Sequence, residues 1–266
     1  MKLAHLDEFI NRINFDPDKL VQETYELIDK NGDYNRYDPN SSTRPLIDFV
    51  TKARIHVQGT YLAAKKSLEN HFCYHLGGGM HHAMSSRPGG FCMFNDIVIA
   101  IRKLQKEKMI SRTAVIDLDC HKGDGAAEIT KDDSSIKTFS IHMQDGWPLV
   151  MDALSESLIP SDLDVPISVD NSENYLKVLK ENLDLFLKKK FDLVLVVHGV
   201  DVWEHDALPS SDGIKLSKED ILKRDTYVYQ LVKEQGIPQA WCLGGGYGSG
   251  VSELYLQFLR MVANNS

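Results

Sequence analysis

The chain has 266 residues, of which 42% are hydrophobic, and a formal net charge of −8. That length and apolar content can bury one sizeable core, so a single domain over residues 1–266 is expected. The negative balance excludes general attraction to nucleic acid and disfavours anionic membranes, and no apolar run approaches the length needed to span a bilayer.

In chain order, residues 35–42 are rich in Asn, Ser and Asp around Pro39 and read as a loop. Amphipathic spacing predicts a helix near 44–69, followed by a short strand at 71–76 that ends in Gly77-Gly78-Gly79. A helix near 94–107 leads to strands at 113–118 and 137–141, then a helix near 172–188 whose solvated end carries Lys188-Lys189-Lys190. A buried strand at 192–198 precedes a helix near 217–235, whose start is marked by Ser217 with Glu219 and Asp220 in the first turn. A strand at 238–243 and a helix near 250–262 complete the chain. Strands alternating with helices predict an α/β fold with a mostly parallel sheet covered on both faces. In such sheets the site lies beyond the carboxyl ends of the strands.

The segment Ile116-Asp117-Leu118-Asp119-Cys120-His121-Lys122-Gly123-Asp124 ends one of these strands in a cluster of ligand-type side chains. Alternation along a strand would send Asp117, Asp119 and His121 one way and Leu118 and Cys120 the other. Carboxylates packed together at a strand end are costly unless they coordinate a cation, so a divalent metal is the simplest reading. Mixed oxygen and nitrogen donors suit an open catalytic site with three protein ligands. The third ligand is expected at Asp201, where the apolar run Leu193 to Val197 stops.

Two further segments supply reactive groups. His81 and His82 follow the glycine turn after residue 76, and imidazoles partnered by carboxylates such as Asp117 and Asp124 suit proton transfer. Tyr247 follows Gly244-Gly245-Gly246 at another strand end and offers a phenol donor for an oxyanion. Taken singly, a His-His dipeptide is more often surface decoration and a glycine run more often a turn. The four cysteines, Cys73, Cys92, Cys120 and Cys242, show no paired spacing, which points to reduced thiols and a cytoplasmic protein.

Read together and in order, His81-His82-Ala83, Gly90-Phe91-Cys92-Met93-Phe94-Asn95-Asp96, Asp117 to Gly125, Gly199-Val200-Asp201 and Leu243-Gly244-Gly245-Gly246-Tyr247 resemble the histone deacetylase family, as a bacterial or class IV-like member. The resemblance runs from about Tyr37 to the C-terminus. It implies a three-layer arginase/deacetylase-like fold and zinc, with ferrous iron as a competitor in the cell, bound by Asp119, His121 and Asp201. It further implies His82 with Asp124 as general base and then acid, His81 with Asp117 orienting the water, and Tyr247 holding the carbonyl oxygen. Gly90 and Phe91 would line the channel for an acylated amine, Asp38 would grip the substrate backbone, and a potassium ion would sit at Asp117 and Ser140. Asp206 matches a second familial aspartate, whereas Ala207 and Pro209 stand where relatives carry proline and glycine.

Relatives also carry a further N-terminal stretch with a first strand, so a missing sheet edge that a partner chain or a second copy covers is expected. The substrate is left open between an acetyl-lysine protein, a longer acyl-lysine, an acetylpolyamine and another small acylated amine. A non-catalytic acyl-lysine binder and a binuclear manganese enzyme of the arginase type are the alternatives, the latter needing additional Asp and His ligands.

Overall fold

The computed structural model describes residues 1–149 and 159–265. Six short segments pair into one sheet: β1 (Phe72–His75), β2 (Thr113–Asp117), β3 (Ile136–Met143), β4 (Leu163–Ile167), β5 (Leu193–His198) and β6 (Gln239–Leu243). Every pairing is parallel, in the order β1-β6-β5-β2-β3-β4. The helices are α1 (Asp7–Phe15), α2 (Pro17–Thr24), α3 (Ile47–Asn70), α4 (Asp96–Lys106), α5 (Asp124–Thr130), α6 (Tyr175–Phe186), α7 (Lys218–Glu234) and α8 (Val251–Asn264).

The central strands are apolar throughout because helices cover both faces of the sheet. Val115, Leu193, Leu195 and Val197 pack with α1 to α4, against residues such as Phe9, Val50, Ile97 and Ile101. Ala114, Ile116, Val194, Val196 and Trp241 pack with α6 to α8, where Trp241 stacks on Phe258 with ring centroids 4.3 Å apart. Burying a ring such as Phe258 contributes roughly 2–3 kcal/mol. Three helix starts among the described residues carry side-chain caps: Asp16 Oδ1 accepts from Lys19 N on α2, Asn95 Oδ1 from Val98 N on α4, and Ser217 Oγ from Asp220 N on α7.

Each strand and helix expected from the sequence is present, with ends shifted by at most three residues. The sheet is wholly parallel rather than mostly so. β4 was not expected; it holds only five residues including Pro166, and proline is tolerated because β4 is an edge strand. Helices α1, α2 and α5 were also not expected, being seven to nine residues long and too short for a firm periodicity.

From β2 the chain proceeds outward to β3 and β4, whereas β5, on the other side of β2, is followed outward by β6. The loops that leave β2 and β5 therefore diverge and open a crevice at the carboxyl ends of the two central strands.

Candidate active site

The loops after β2 and β5 meet in that crevice. Asp119 Oδ1 and Asp201 Oδ2 each lie 3.1 Å from His121 Nδ1, and all three side chains are buried. Backbone donors aim the carboxylates: Gly245 N donates to Asp119 Oδ2 at 2.6 Å and Cys120 N to Asp201 Oδ1 at 2.9 Å. A side chain at Gly245 would run into the Asp201 carboxylate, so a glycine is required where the loop after β6 crosses the site.

β2 ends at Asp117, two residues before Asp119, so strand alternation stops governing where side chains point. Cys120 joins the apolar cluster on the α6 to α8 face as expected, yet its Sγ also reaches back to donate to Asp201 Oδ2 at 2.9 Å. The expectation that Cys120 faces away from the ligands is corrected to that extent.

Both histidines sit on the loop after β1. His81 Nδ1 is 2.6 Å from Asp117 Oδ2, and His82 Nδ1 is 2.6 Å from Asp124 Oδ1. The rings lie 3.8 Å apart between centroids. The start of α4 holds this loop: Asp96 accepts from Gly79 N at 3.0 Å and Met80 N at 2.7 Å, and Asn95 Nδ2 donates to Ala83 O at 3.0 Å. Gly79 has φ +71°, and a Cβ there would strike the carbonyl of Leu243, so the loop can lie against β6 only with glycine.

Electrostatics divide the two histidines. Burial pulls His81 down, but the adjacent Asp117 and Asp119 carboxylates outweigh it and hold the ring up at about 9. Burial and the neighbouring His81 charge push His82 down to about 4 despite Asp124. His82 is thereby neutral and its Nε2 free to accept a proton. Burial, reinforced by the Asp119 and Asp201 charges, raises the Tyr247 phenol well above its ordinary value, so it remains a donor. Burial and the Asp119 charge raise Asp201 above its ordinary value, whereas Asp119, despite its burial, is held below its own by the His81 and His121 rings.

A cavity of about 450 Å³ opens onto this cluster, with His82, His121 and Tyr247 among its inner residues. Gly90 and Phe91 both line it, and Phe91, at φ +63°, faces Tyr247 with centroids 6.0 Å apart. Several lining residues were not foreseen, Trp147, Arg36 and Glu26 among them. Trp147 packs its ring 4.5 Å from His82, and Arg36 lies 5.1 Å over the Phe91 ring while pairing with Glu26 at 3.2 Å. Nothing local distinguishes a lone Trp after Gly146, or an Arg in a polar loop, as a pocket residue.

Asp38 is not brought to the cavity. Its carboxylate accepts from Asn40 N at 2.9 Å inside its own turn, and Arg36 from the same loop reaches the mouth instead. Asp117 and Ser140 do come together, as register partners at the ends of β2 and β3. Asp206 accepts from the Tyr247 main-chain N at 2.8 Å and so fixes the loop that carries the phenol.

The crevice at the central strand ends of this parallel sheet is thus lined by an Asp, His, Asp cluster that could hold a metal ion and by two histidine–aspartate pairs. The family model of the histone deacetylase domain matches residues 1–262, and the chain belongs to the histone deacetylase family. Over 206 residues it is 34% identical to an uncharacterized protein of Picosynechococcus sp., covering 77% of this chain and 66% of that protein. Over 196 residues it is 33% identical to histone deacetylase 2 of Arabidopsis thaliana, covering 73% and 49% respectively. The acetoin utilization protein AcuC of Staphylococcus aureus is 33% identical over 141 residues, which is 50% of this chain and 36% of AcuC. The matched stretches thus span between about a third and two thirds of these relatives' lengths. The crystal structure of acetylpolyamine aminohydrolase from Burkholderia pseudomallei has the same fold, with a TM-score of 0.70 over 97% of this chain and 80% of that one at 18% identity.

Proposed function

We propose that the chain is a zinc-dependent amidohydrolase that removes an acetyl or other acyl group from an acylated amine, with acyl-lysine as the preferred class. The observation that carries this reading is the convergence of three metal-type donors, two histidine–aspartate pairs and a phenol on one aromatic-lined cavity. The donor chemistry fits a divalent ion, since two buried carboxylates and an imidazole bring their ligand atoms within 4.8 Å of one another. Zinc held by Asp119, His121 and Asp201 would supply Lewis acidity to the amide carbonyl and acidify the attacking water, and the same donors admit ferrous iron.

The chain's own residues do the rest. Neutral His82 takes the proton from water at Nε2, and Asp124 steadies the imidazolium that forms. The same proton then passes to the departing amine nitrogen as the C–N bond breaks. His81, fixed by Asp117, orients the water. Tyr247 donates to the carbonyl oxygen as negative charge develops there. Phe91 and Trp147 wall the aliphatic stem and exclude water from the reacting atoms. A potassium ion at Asp117 and Ser140 would reinforce the ligand loop.

Acyl-lysine is preferred over acetylpolyamine because of the mouth. Among the described residues lining the cavity, Glu26 is the only carboxylate, and it is already paired with Arg36. A second ammonium would find no free partner there. No helix among the described residues is long and apolar enough to cross a membrane, and all four cysteines are free thiols, which supports a cytoplasmic site of action. Residues 1–266 serve as one catalytic unit in this reading.

The Tyr247→Phe variant tests the mechanism. Loss of one oxyanion donor should lower kcat by about 100-fold or more with little change in KM. An unchanged hydrolysis rate would sink the mechanism, and a protein that binds acyl-lysine peptide with no turnover before or after the substitution would be a binder.

A further inference from the structure

On the apolar stripe of α7, the positions Ile221, Arg224, Asp225, Val228, Tyr229 and Val232 are all buried, and two of them are charged. Arg224 and Asp225 are both 0% exposed. Burying an ion pair where apolar residues would pack is rarely justified by stability alone, so the contacts it makes carry the information. The guanidinium donates from Nη1 to Leu118 O at 3.0 Å and from Nη2 to Gly199 O at 2.8 Å. Leu118 immediately precedes the ligand Asp119, and Gly199 lies two residues before the ligand Asp201.

A third donor, Nε, goes to Asp225 Oδ1 at 2.8 Å. Asp225 Oδ2 accepts from His198 Nε2 at 2.8 Å, and His198 Nδ1 accepts from the Tyr74 hydroxyl at 2.9 Å. Each member of the chain thus has its partner, from α7 through β5 to β1. The loops after β2 and β5 already touch, since a Cβ on Gly199 would collide with the backbone of Asp119. Beyond that contact and the bond from Cys120 N to Asp201 Oδ1, one planar group holds a carbonyl of each loop at once.

We propose that Arg224, oriented by Asp225, is a positioning residue for the metal: its rigid fork ties the loops after β2 and β5 and presets the separation of Asp119 and Asp201. The inference rests on the metal-dependent reading above. Lysine cannot replace this role, because a single ammonium on a flexible stem lacks the fork that spans two fixed acceptors.

The test is Arg224→Lys in the full chain, with three readouts: zinc affinity by competition with a chromophoric chelator, thermal midpoint of the metal-stripped protein, and kcat with saturating zinc. The expected result is zinc binding weakened by about tenfold or more, as for loss of other supports of metal ligands, with the metal-free midpoint within a few degrees of the parent. A lowered midpoint with unchanged zinc affinity would make Arg224 merely structural and overturn the proposal. Should Arg224→Lys fail to fold, the isosteric Asp225→Asn variant carries the same readouts, with a threefold or greater loss of zinc affinity expected and none overturning it. A parent protein that takes up no stoichiometric zinc overturns the metal reading itself, whereas zinc uptake with equal affinity in the variants overturns only this inference.

Discussion

At the scale of single residues, the protonation of each buried histidine is set by what surrounds it. His5 is a structural example: its Nε2 accepts from Asn95 N at 3.0 Å and its Nδ1 donates to Met84 O at 2.9 Å, a pattern that only a neutral ring can make. Burial, partly offset by the Met84 carbonyl, lowers its pKa from 6.5 to about 4. The unfolded chain therefore binds a proton that the folded chain resists. The stabilisation is complete above pH 6.5 and is lost as pH falls toward about 4, by about 3 kcal/mol at most. Thermal melts across that window should show a shallower pH dependence in His5→Gln than in the parent, and equal slopes would refute the assignment. Arg36 is the residue to change for specificity. Arg36→Glu should raise kcat/KM for an acetylpolyamine relative to an acetyl-lysine peptide by about threefold to tenfold, an effect that shrinks with added salt. No change in that ratio would remove the mouth charge from the account.

At the scale of elements, the start of α4 does two jobs. Asn95 caps the helix and anchors Ala83 O, while Asp96 gathers the amides of Gly79 and Met80. The loop carrying His81 and His82 is thus fastened to a helix rather than left to glycine flexibility. Asn95→Ala should cost about 1–3 kcal/mol, from the lost cap and the unpaired Ala83 carbonyl, and should lower kcat more than the stability loss alone explains. Denaturant melts paired with initial rates check this, and a variant that is destabilised with full kcat would show the anchor to be irrelevant to the histidines.

The sequence was legible at this scale where chemistry and local pattern coincide. The donors at 119, 121 and 201 stand where apolar runs stop, and the histidine and tyrosine loops are flagged by glycines that the backbone needs. It was illegible where position depends on distant packing. Trp147 and Arg36 reach the cavity through loops with no periodicity, and Asp38 satisfies its own turn in preference to the cavity. The Arg224–Asp225 pair did leave a trace, two charges on the apolar stripe of α7, but only the carbonyls of Leu118 and Gly199 explain it.

At the scale of the whole molecule, topology places the site. Strand order diverges on either side of the β2 and β5 pair, so residues far apart in sequence, from β1, β2, β5 and β6, deliver their loops to one crevice. The alternation of strands and helices predicted that arrangement, while the edge strand β4 escaped because its proline and short length blur the signal. Family membership and fold leave the substrate and the metal as the open chemistry. The most direct test is hydrolysis of acetyl-lysine peptides, longer acyl-lysine peptides and acetylpolyamines by zinc-loaded and metal-stripped protein side by side. The account predicts turnover of an acyl-lysine peptide that is lost on stripping, restored by one zinc per chain and faster than that of any acetylpolyamine. Turnover indifferent to metal, or none with zinc stoichiometrically bound, would contradict it.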